Sequence, residues 1–335
     1  MAVLYLVEQG STLRKQGERL LVEKEGQTVA SVPAVKVAQV VIFGSVQLTT
    51  PAIVYLLSNG IDAVFLSLDG KYYGRLISPE SRYGELRQKH LRLVDDEARA
   101  LQIAQTIVAA KLHNSRTLLM RAQREHHRPE LKIAIEGLEW SLNKVKRTTK
   151  LASLMGVEGL GTAAYFRGFK HLLRQDLGFE GRNRRPPSDP VNVLLSFGYT
   201  LLAFGIQAAV QTVGLDPYVG FLHGPVYSRP ALVLDLMEEF RPVVVDSVVL
   251  RLVNSHILTR GHFVDQPEVP ERPVLLTDEG RRLFLAAYEE RVQTRVTEPE
   301  RGEQVTMRRL FELQARQIAR LALGQQSAYH PWLIR

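Results

Sequence analysis

The feature that most constrains the fold is a change in hydrophobic period about a quarter of the way along the chain. Before this point, apolar residues form short β-branched runs separated by turn residues, which is typical of strands. Beyond it, apolar residues recur three and four positions apart, as in Leu101 and Ala104, which is typical of helices. The chain is therefore predicted to be α+β by segregation, with a small β-rich N-terminal domain at 1–84 and a larger all-α C-terminal domain at 85–335.

Individual elements follow from the same patterns. Strands are predicted at Val3–Val7, Arg19–Glu23, Thr28–Val32, Val37–Phe43, Ala63–Leu66 and Tyr72–Ile77. One helix is predicted among them at Thr50–Ser58, with Pro51 at its start. Later helices are predicted at 158–176, 190–213, 230–257, 277–297 and 303–323. The segment Gly178–Pro190, rich in Gly, Arg and Pro, is predicted to be an exposed basic loop.

The positive charge of the chain is concentrated in one segment. The 335 residues include 43 Lys and Arg against 35 Asp and Glu, a net charge of +8. Residues 141–185 contain ten of the basic residues and three of the acidic ones, so this segment alone carries +7. Such a concentrated field favours binding to phosphates with release of counterions. The alternative is a basic surface that serves only solubility.

Composition limits the chemistry. Cysteine is absent, so disulfides and thiolate nucleophiles are excluded and a metal site would have to use His, Asp and Glu. The N-terminus lacks the pattern of a signal peptide, and no apolar run is expected to reach the ~18 to 20 residues that span a bilayer. We therefore expect a cytoplasmic protein with no membrane partner.

The first candidate for a functional residue is Glu158, in the segment Gly156-Val-Glu-Gly-Leu-Gly161. Three glycines around one acid would let another group approach the backbone closely. The commoner explanation is an acidic residue in the first turn of a helix, where it interacts favourably with the helix dipole. Glu158 by itself therefore does not identify a site.

Three further candidates lie on either side of Pro230. His223 stands in an irregular segment, Gly220 to Pro225, where a histidine bonded to a carbonyl would be ordinary. Asp235 and Glu238 are three residues apart and so share one face of a predicted helix. Asp235 lies in an apolar run and needs a partner, which could be a metal, an arginine or the ring of His223. Glu238, with Glu239, could equally belong to a solvated helix face.

Considered together, these residues indicate a metal site. Carboxylates and one histidine, without cysteine, suit a hard or borderline ion such as Mg²⁺ or Mn²⁺. A site with three protein ligands would leave positions for water, a phosphate oxygen or an attacking hydroxyl. Such an ion polarises a phosphoryl oxygen and lowers the pKa of a bound nucleophile. The residues therefore suggest metal-assisted chemistry on a phosphodiester.

At these motifs the chain closely resembles CRISPR-associated protein one, the integrase and endonuclease of CRISPR adaptation. The matching stretches are Gly156–Gly159, 184–192, 195–202, Gly220–His223 and Leu232–Pro242. The resemblance covers essentially the whole chain and implies metal ligands at Glu158, His223 and Glu238. Asp235 falls on a second acidic position of the family, where it would assist the site or orient His223. Many relatives have aspartate where Glu238 stands, which leaves the relative roles of Glu238 and Asp235 open.

The resemblance implies a metal-dependent DNA endonuclease and integrase, which inserts short DNA spacers into a CRISPR array by 3′-hydroxyl attack on phosphodiester bonds. It also implies a homodimer joined through the N-terminal β-domains and bridged to a second dimer by CRISPR-associated protein two. Basic residues are then expected to contact the DNA backbone, namely Arg167, Lys170, Arg182, Arg184 and Arg185. Tyr165 could reach the site or simply belong to the core. The alternatives are a metal-dependent DNA repair nuclease and a non-catalytic DNA-binding subunit.

Overall fold

The chain folds into two compact units, Met1–Arg82 and Tyr83–Arg335. The computed structural model describes residues 2–68, 70–76, 83–183, 186–224, 229–300 and 302–334. Strands dominate the first unit and helices dominate the second, so the predicted fold class is confirmed. The roles assigned to the two domains, dimerisation and catalysis, stay predictions.

The first unit contains two four-stranded sheets. One is built from β1 (Ala2–Leu6), β5 (Val37–Phe43), β7 (Asp62–Leu66) and β8 (Tyr72–Leu76), in that order, with only β8 antiparallel to its neighbour. The other has the spatial order β4 (Gln27–Pro33), β3 (Arg19–Lys24), β2 (Thr12–Gln16) and β6 (Gln47–Leu48). Helix α1 has the predicted bounds, Thr50–Ser58.

Burial explains which strands the sequence revealed. Strand β5 is buried at six of its seven positions, and its continuous apolar run is the signature of a strand covered on both faces. Strand β2 was missed, because only Leu13 of its five residues is buried and the rest of its sequence is polar. Leu13 packs with Leu20, Ile42 and Leu56 in the core of this unit.

The second unit is mainly helical. Its helices are α2 (Gly84–Asp95), α3 (Glu97–His126), α4 (Pro129–Val145), α5 (Leu151–Lys170), α6 (Pro190–Val213), α7 (Ala231–Met237), α8 (Ser247–Asn254), α9 (Asp278–Gln293) and α10 (Met307–Ala322). It also contains two antiparallel hairpins that the all-α prediction missed, β9 (Phe263–Asp265) with β10 (Val274–Leu276) and β11 (Arg295–Thr297) with β12 (Gln304–Thr306).

The predicted helix at 230–257 is interrupted. Helix α7 ends at Met237, and a π-helical turn at Arg241–Asp246 precedes α8. Pro242 lies in this turn, where its missing N–H and its ring are incompatible with a continuous α-helix. Single π-helical turns are often found at functional sites.

Helix α6 corrects one expectation from the sequence. Its 24 residues include no charged side chain, and by length and composition it could cross a membrane. In the fold, 61% of its apolar window is buried inside the unit, as in the core helix of a globular domain. The expectation that no run would be long enough was therefore wrong, because core helices and membrane spans have similar compositions.

Helix α5 approaches α3 closely at Gly161, near Glu158, as it also does at Gly168 farther along the helix. A Cβ placed on Gly161 would lie 2.4 Å from Leu112 Cδ2 on α3 and 3.2 Å from Ser141 Cβ on α4. A Cβ placed on Gly156 or Gly159, on the same helix, would meet nothing within 4 Å. Of the three glycines around Glu158, Gly161 is therefore the one that allows close packing.

This difference predicts opposite effects of two matched substitutions. Gly159→Ala should raise the free energy of unfolding by about 0.5–1 kcal/mol, because alanine is the better helix former. Gly161→Ala gains the same propensity but must displace the fully buried side chain of Leu112, and should lower the free energy of unfolding by about 1–3 kcal/mol. Urea unfolding followed by far-UV circular dichroism measures both. A Gly161→Ala chain as stable as Gly159→Ala would contradict the close packing.

Candidate metal centre

Two acidic side chains from different helices converge on one lysine. Glu158 lies in the interior of α5, and not in its first turn as the sequence suggested. Its Oε1 contacts the ammonium group of Lys111 on α3 and accepts a hydrogen bond from Thr162 Oγ1 at 2.9 Å. Glu238, just beyond the end of α7, places its Oε2 2.7 Å from the same Nζ atom. Lys111 therefore lies between the two carboxylates, where a shared cation would bind.

Glu238 is deeply buried and fully ionised. Its side chain is 5% exposed, and its Oε1 lies 3.1 Å from Arg241 Nε. Burial alone would raise the pKa of Glu238, but the charges of Arg241 and Lys111 outweigh it and lower the pKa to about 2. The alternative that Glu238 belongs to a solvated helix face is wrong.

The neighbouring residue Glu239 has the opposite environment. It is 2% exposed and accepts hydrogen bonds from Tyr329 Oη at 2.8 Å, Trp332 N at 2.7 Å and Gln314 Nε2 at 3.1 Å. Burial raises its pKa to about 7, because those hydrogen bonds only partly offset desolvation. Glu239 therefore ties residues 329–332 to the turn beside Glu238.

His223 is held in one orientation by Asp235. The Asp235 carboxylate accepts hydrogen bonds from the backbone N–H groups of Phe221, Leu222 and His223 at 2.6, 2.9 and 3.0 Å. Its Oδ1 also lies 2.6 Å from His223 Nδ1. A carboxylate at this distance accepts a hydrogen, so Nδ1 carries the proton and the lone pair of Nε2 is available to a metal. Of the partners considered for Asp235, the His223 ring is thus the one present.

A glycine makes this arrangement possible. A Cβ on Gly220 would lie 2.7 Å from Asp235 Oδ2 and 2.8 Å from the carbonyl carbon of Ala231. The backbone of residues 220–223 can therefore wrap around the carboxylate only because Gly220 has no side chain.

The predicted ligands are only partly assembled. Among the described ranges, no three His, Asp or Glu side chains form a group that could hold a metal ion as they stand. Glu158 and Glu238 share Lys111 instead, and His223 is bonded to Asp235. The donor set nevertheless fits a divalent ion. Glu238 Oε2 is buried and accepts no hydrogen bond of good geometry, although it lies beside Lys111.

Sequence reasoning missed Lys111, Thr162 and Arg241, which contact the two glutamates. Arg241 is three residues from Glu238, a spacing that indicates a shared helix face. Thr162 is four residues from Glu158, and this spacing carries the same signal. Lys111 has no such signal, since it is 47 residues from Glu158.

Tyr165 belongs to the core beside the site. It is 3% exposed, and its hydroxyl donates to Asp246 at 2.7 Å. Tyr199 on α6 donates to the other oxygen of Asp246 at 2.6 Å. Burial raises the pKa of Asp246 to about 6, against the effect of the two hydroxyls and of Arg241. This cluster anchors the π-helical turn that carries Arg241.

The predicted DNA-contacting residues fall in different environments. Arg182 is half-buried, donates to Asn192 Oδ1 at 2.8 Å and Ser196 Oγ at 3.0 Å, and lies 5.5 Å from the centre of the Tyr199 ring. It is thus bound to α6, whereas the sequence predicted an exposed loop. Arg167 is exposed on α5, and Lys170 pairs with Glu180. Arg184 and Arg185 lie outside the described residues.

The geometry predicts that Asp235 positions His223 and supports the local fold. Asp235→Asn would place an amide group against four donors, leaving at least one without an acceptor, and should lower the free energy of unfolding by about 2–4 kcal/mol. Asp216→Asn is the matched control, because Asp216 Oδ1 accepts a turn N–H from Tyr218 at 2.8 Å. The control should change stability by less than about 0.5 kcal/mol. Equal effects in urea unfolding would disprove the role of Asp235.

Comparison with known proteins agrees with this architecture. Residues 4–290 match the model of the family described as CRISPR associated protein Cas1. The CRISPR-associated endonuclease Cas1 1 of Thermus thermophilus is 40% identical over 98% of this chain and 99% of its own. A chain of a Cas6-RT-Cas1–Cas2 complex superposes with a TM-score of 0.85 at 28% identity, covering 99% of this chain and 36% of that one.

A casposase bound to an integration product has the same fold, with a TM-score of 0.86 at 23% identity, covering 98% of this chain and 92% of its own. The family match extends over both units and includes Glu158, His223 and Glu238. The resemblance seen in the sequence motifs is thereby confirmed. The chain belongs to the Cas1 family of CRISPR-associated endonucleases.

Proposed function

We propose that the chain is a metal-dependent DNA integrase and endonuclease of CRISPR adaptation, which inserts spacers by 3′-hydroxyl attack on phosphodiester bonds. The observation that carries this proposal is the convergence of Glu158 and Glu238, from separate helices, on one shared cation. His223, whose Nδ1 atom is bonded to Asp235, would offer its Nε2 atom to the same ion. Membership of a family of CRISPR-associated endonucleases supports the choice of DNA as substrate.

In this proposal Glu158, His223 and Glu238 hold Mg²⁺ or Mn²⁺. When bound, such an ion polarises a phosphoryl oxygen and lowers the pKa of an attacking hydroxyl or water. Asp235 keeps the proton of His223 on Nδ1, so that Nε2 is a donor to the metal. Thr162 orients the Glu158 carboxylate through its hydroxyl, and Arg241 keeps Glu238 ionised.

The surroundings of these residues are rich in cationic and hydroxyl-bearing side chains. A small cavity of about 20 Å³ is lined by Lys111, Arg182 and Arg241 together with hydroxyl-bearing side chains. The guanidinium groups of Arg182 and Arg241 both lie over the Tyr199 ring, at 5.5 and 4.6 Å from its centre. Planar guanidinium groups bind phosphate oxygens through paired hydrogen bonds. We therefore assign Arg182 to a phosphate next to the metal, and the exposed Arg167 to the backbone farther along the DNA.

The proposed partners follow from the same family. We propose a homodimer joined through the N-terminal β-rich unit, with CRISPR-associated protein two bridging two dimers. The likeness to a chain of a Cas6-RT-Cas1–Cas2 complex supports this partner. DNA as both spacer precursor and target implies that the protein works in the cytoplasm.

Metal dependence is tested with two ligand variants. Glu158→Gln and His223→Ala should each lower strand joining by about 100-fold or more in Mn²⁺, because even changes to residues that only orient a metal ligand cost about 10- to 100-fold. The assay combines the chain, CRISPR-associated protein two, a short 3′-hydroxyl duplex and a supercoiled repeat plasmid. Glu139→Gln is the control, since Glu139 pairs with Arg116 at the surface.

The products of the same assay separate the alternatives. Branched, covalently joined DNA indicates an integrase, whereas cut strands without joined product indicate a repair nuclease. If both ligand variants joined and cut DNA as well as the parent does, the proposed catalytic site would be wrong. A parent chain that binds DNA but neither joins nor cuts it would favour a non-catalytic DNA-binding subunit.

DNA contact by the basic segment is tested separately from catalysis. Arg167→Ala should weaken binding of a DNA duplex and reduce the slope of log K against log salt by about 0.9, the value for one phosphate contact. Lys132→Ala is the matched control, because Lys132 is exposed on α4 outside the basic segment. Fluorescence anisotropy at several salt concentrations, with a chelator present, gives both slopes. Identical slopes for the two variants would remove Arg167 from the interface.

A further inference from the structure

Lys111 is a buried lysine in an unusual position. It is 6% exposed and comes from the middle of α3, whereas the carboxylates that it contacts come from α5 and from the end of α7. Its ammonium group touches Glu158 Oε1 and lies 2.7 Å from Glu238 Oε2. These are the same two side chains that the proposed function assigns to the metal.

The charges of this cluster balance without any other ion. Glu158 and Glu238 contribute two negative charges, and Lys111 and Arg241 contribute two positive ones. Because Glu238 is almost fully buried, removal of the lysine charge would leave two carboxylates facing each other, with the Thr162 hydroxyl on Glu158 and the Arg241 charge beside Glu238. Lys111 therefore holds the two acids together.

A divalent ion and the ammonium group cannot share this position. The ammonium group contacts the facing oxygens of Glu158 and Glu238, which the divalent ion would also need, and two cations a few ångströms apart in a largely buried site repel strongly. The lysine stem is flexible and its head can move while its backbone stays in α3.

The neighbouring cavity offers the ammonium group another position. Its volume is about 20 Å³, enough for roughly one water molecule. Lys111 already lines it, as do the hydroxyl-bearing residues Ser115 and Thr162. The cavity is also lined by the cations Arg182 and Arg241 and by the carboxylate of Asp246. Hydroxyl and carboxylate oxygens accept hydrogen bonds from an ammonium group, so a small rotation of the side chain would keep the displaced charge solvated by the protein in spite of the two guanidinium groups.

We propose that Lys111 is an exchangeable internal counter-ion, which holds Glu158 and Glu238 together before metal binds and is displaced by the arriving divalent ion. This inference rests on the proposed metal site and adds a positioning residue to it. Two consequences follow from the competition for the same oxygens. Lys111 stabilises the chain in the absence of metal, and it lowers the affinity of the site for metal.

The test removes the positive charge of Lys111 and keeps most of its side-chain volume. Lys111→Met should bind Mn²⁺ at least about 10-fold more tightly than the parent in calorimetric titration of the full chain without DNA. In chelator its Tm should be lower than that of the parent, because the carboxylates lose their shared cation. Added Mn²⁺ should raise its Tm by more than it raises that of the parent, since stabilisation by a ligand increases with affinity.

Two further variants serve as controls. Arg116 lies on α3, as Lys111 does, and pairs with Glu139 at the surface. Arg116→Met therefore removes a similar ion pair away from the site. It should leave both the Mn²⁺ affinity and the response of Tm to Mn²⁺ unchanged. Lys111→Arg keeps the charge and should bind Mn²⁺ about as weakly as the parent. If Lys111→Met does not fold in chelator, Lys111→Gln measured with the same titration provides the comparison.

The proposal would be overturned if the neutral variants, Lys111→Met and Lys111→Gln, bound Mn²⁺ no more tightly than the parent does. It would also be overturned if the parent chain bound no Mn²⁺. These outcomes are independent of DNA chemistry. A chain that shows the Lys111 effect but joins no DNA would disprove the proposed function and keep the inference. If the parent chain joins DNA but its neutral Lys111 variants bind Mn²⁺ with the affinity of the parent, the proposed function is kept and the inference about Lys111 is disproved.

Discussion

The ion cluster of the buried Lys111 and Glu238 with the partly buried Glu158 and Arg241 is the constraint on which the second unit depends. Charges removed from water must be compensated by close, well-oriented partners, because desolvation otherwise outweighs their attraction. Compensation here requires α3, α5 and the end of α7 to meet at one point. The contact of Gly161 with Leu112 brings α5 against α3 at the level of this cluster. The close approach of α3 and α5 thus provides both the packing around Gly161 and the pairing of Lys111 with Glu158.

Around this cluster, the fold sorts chemically similar residues into different roles. Glu238 and Glu239 are adjacent in sequence and both buried, yet the pKa of the first is lowered to about 2 and that of the second is raised to about 7. Nearby cations cause the first shift, and burial with only neutral donors causes the second. Asp235 differs again, because backbone N–H groups and the His223 ring surround it. The pKa and the bonding partners of each acid are therefore set by its surroundings and not by its residue type.

The limits of prediction are visible in particular elements. The apolar periodicity at 190–213 predicted α6 with its observed bounds, because the pattern of a long core helix extends over many residues. The run at 230–257 also looked helical, but the π-helical turn that carries Arg241 breaks it. Tyr165 and Tyr199 hold that turn through Asp246, which lies 81 and 47 residues away from them. No local pattern contains such a contact.

The sequence by itself determined the segregated α+β class, the restriction of any metal site to His, Asp and Glu by the absence of cysteine, and the choice of acidic and histidine candidates. These depend on composition, on hydrophobic period and on motifs, all of which are local properties of a chain. Tertiary structure alone decided that Lys111 lies between Glu158 and Glu238, that Asp235 fixes the proton of His223, and that Arg182 is bound to α6. Those contacts join residues far apart along the chain, and only the packing of whole helices sets the distances between them.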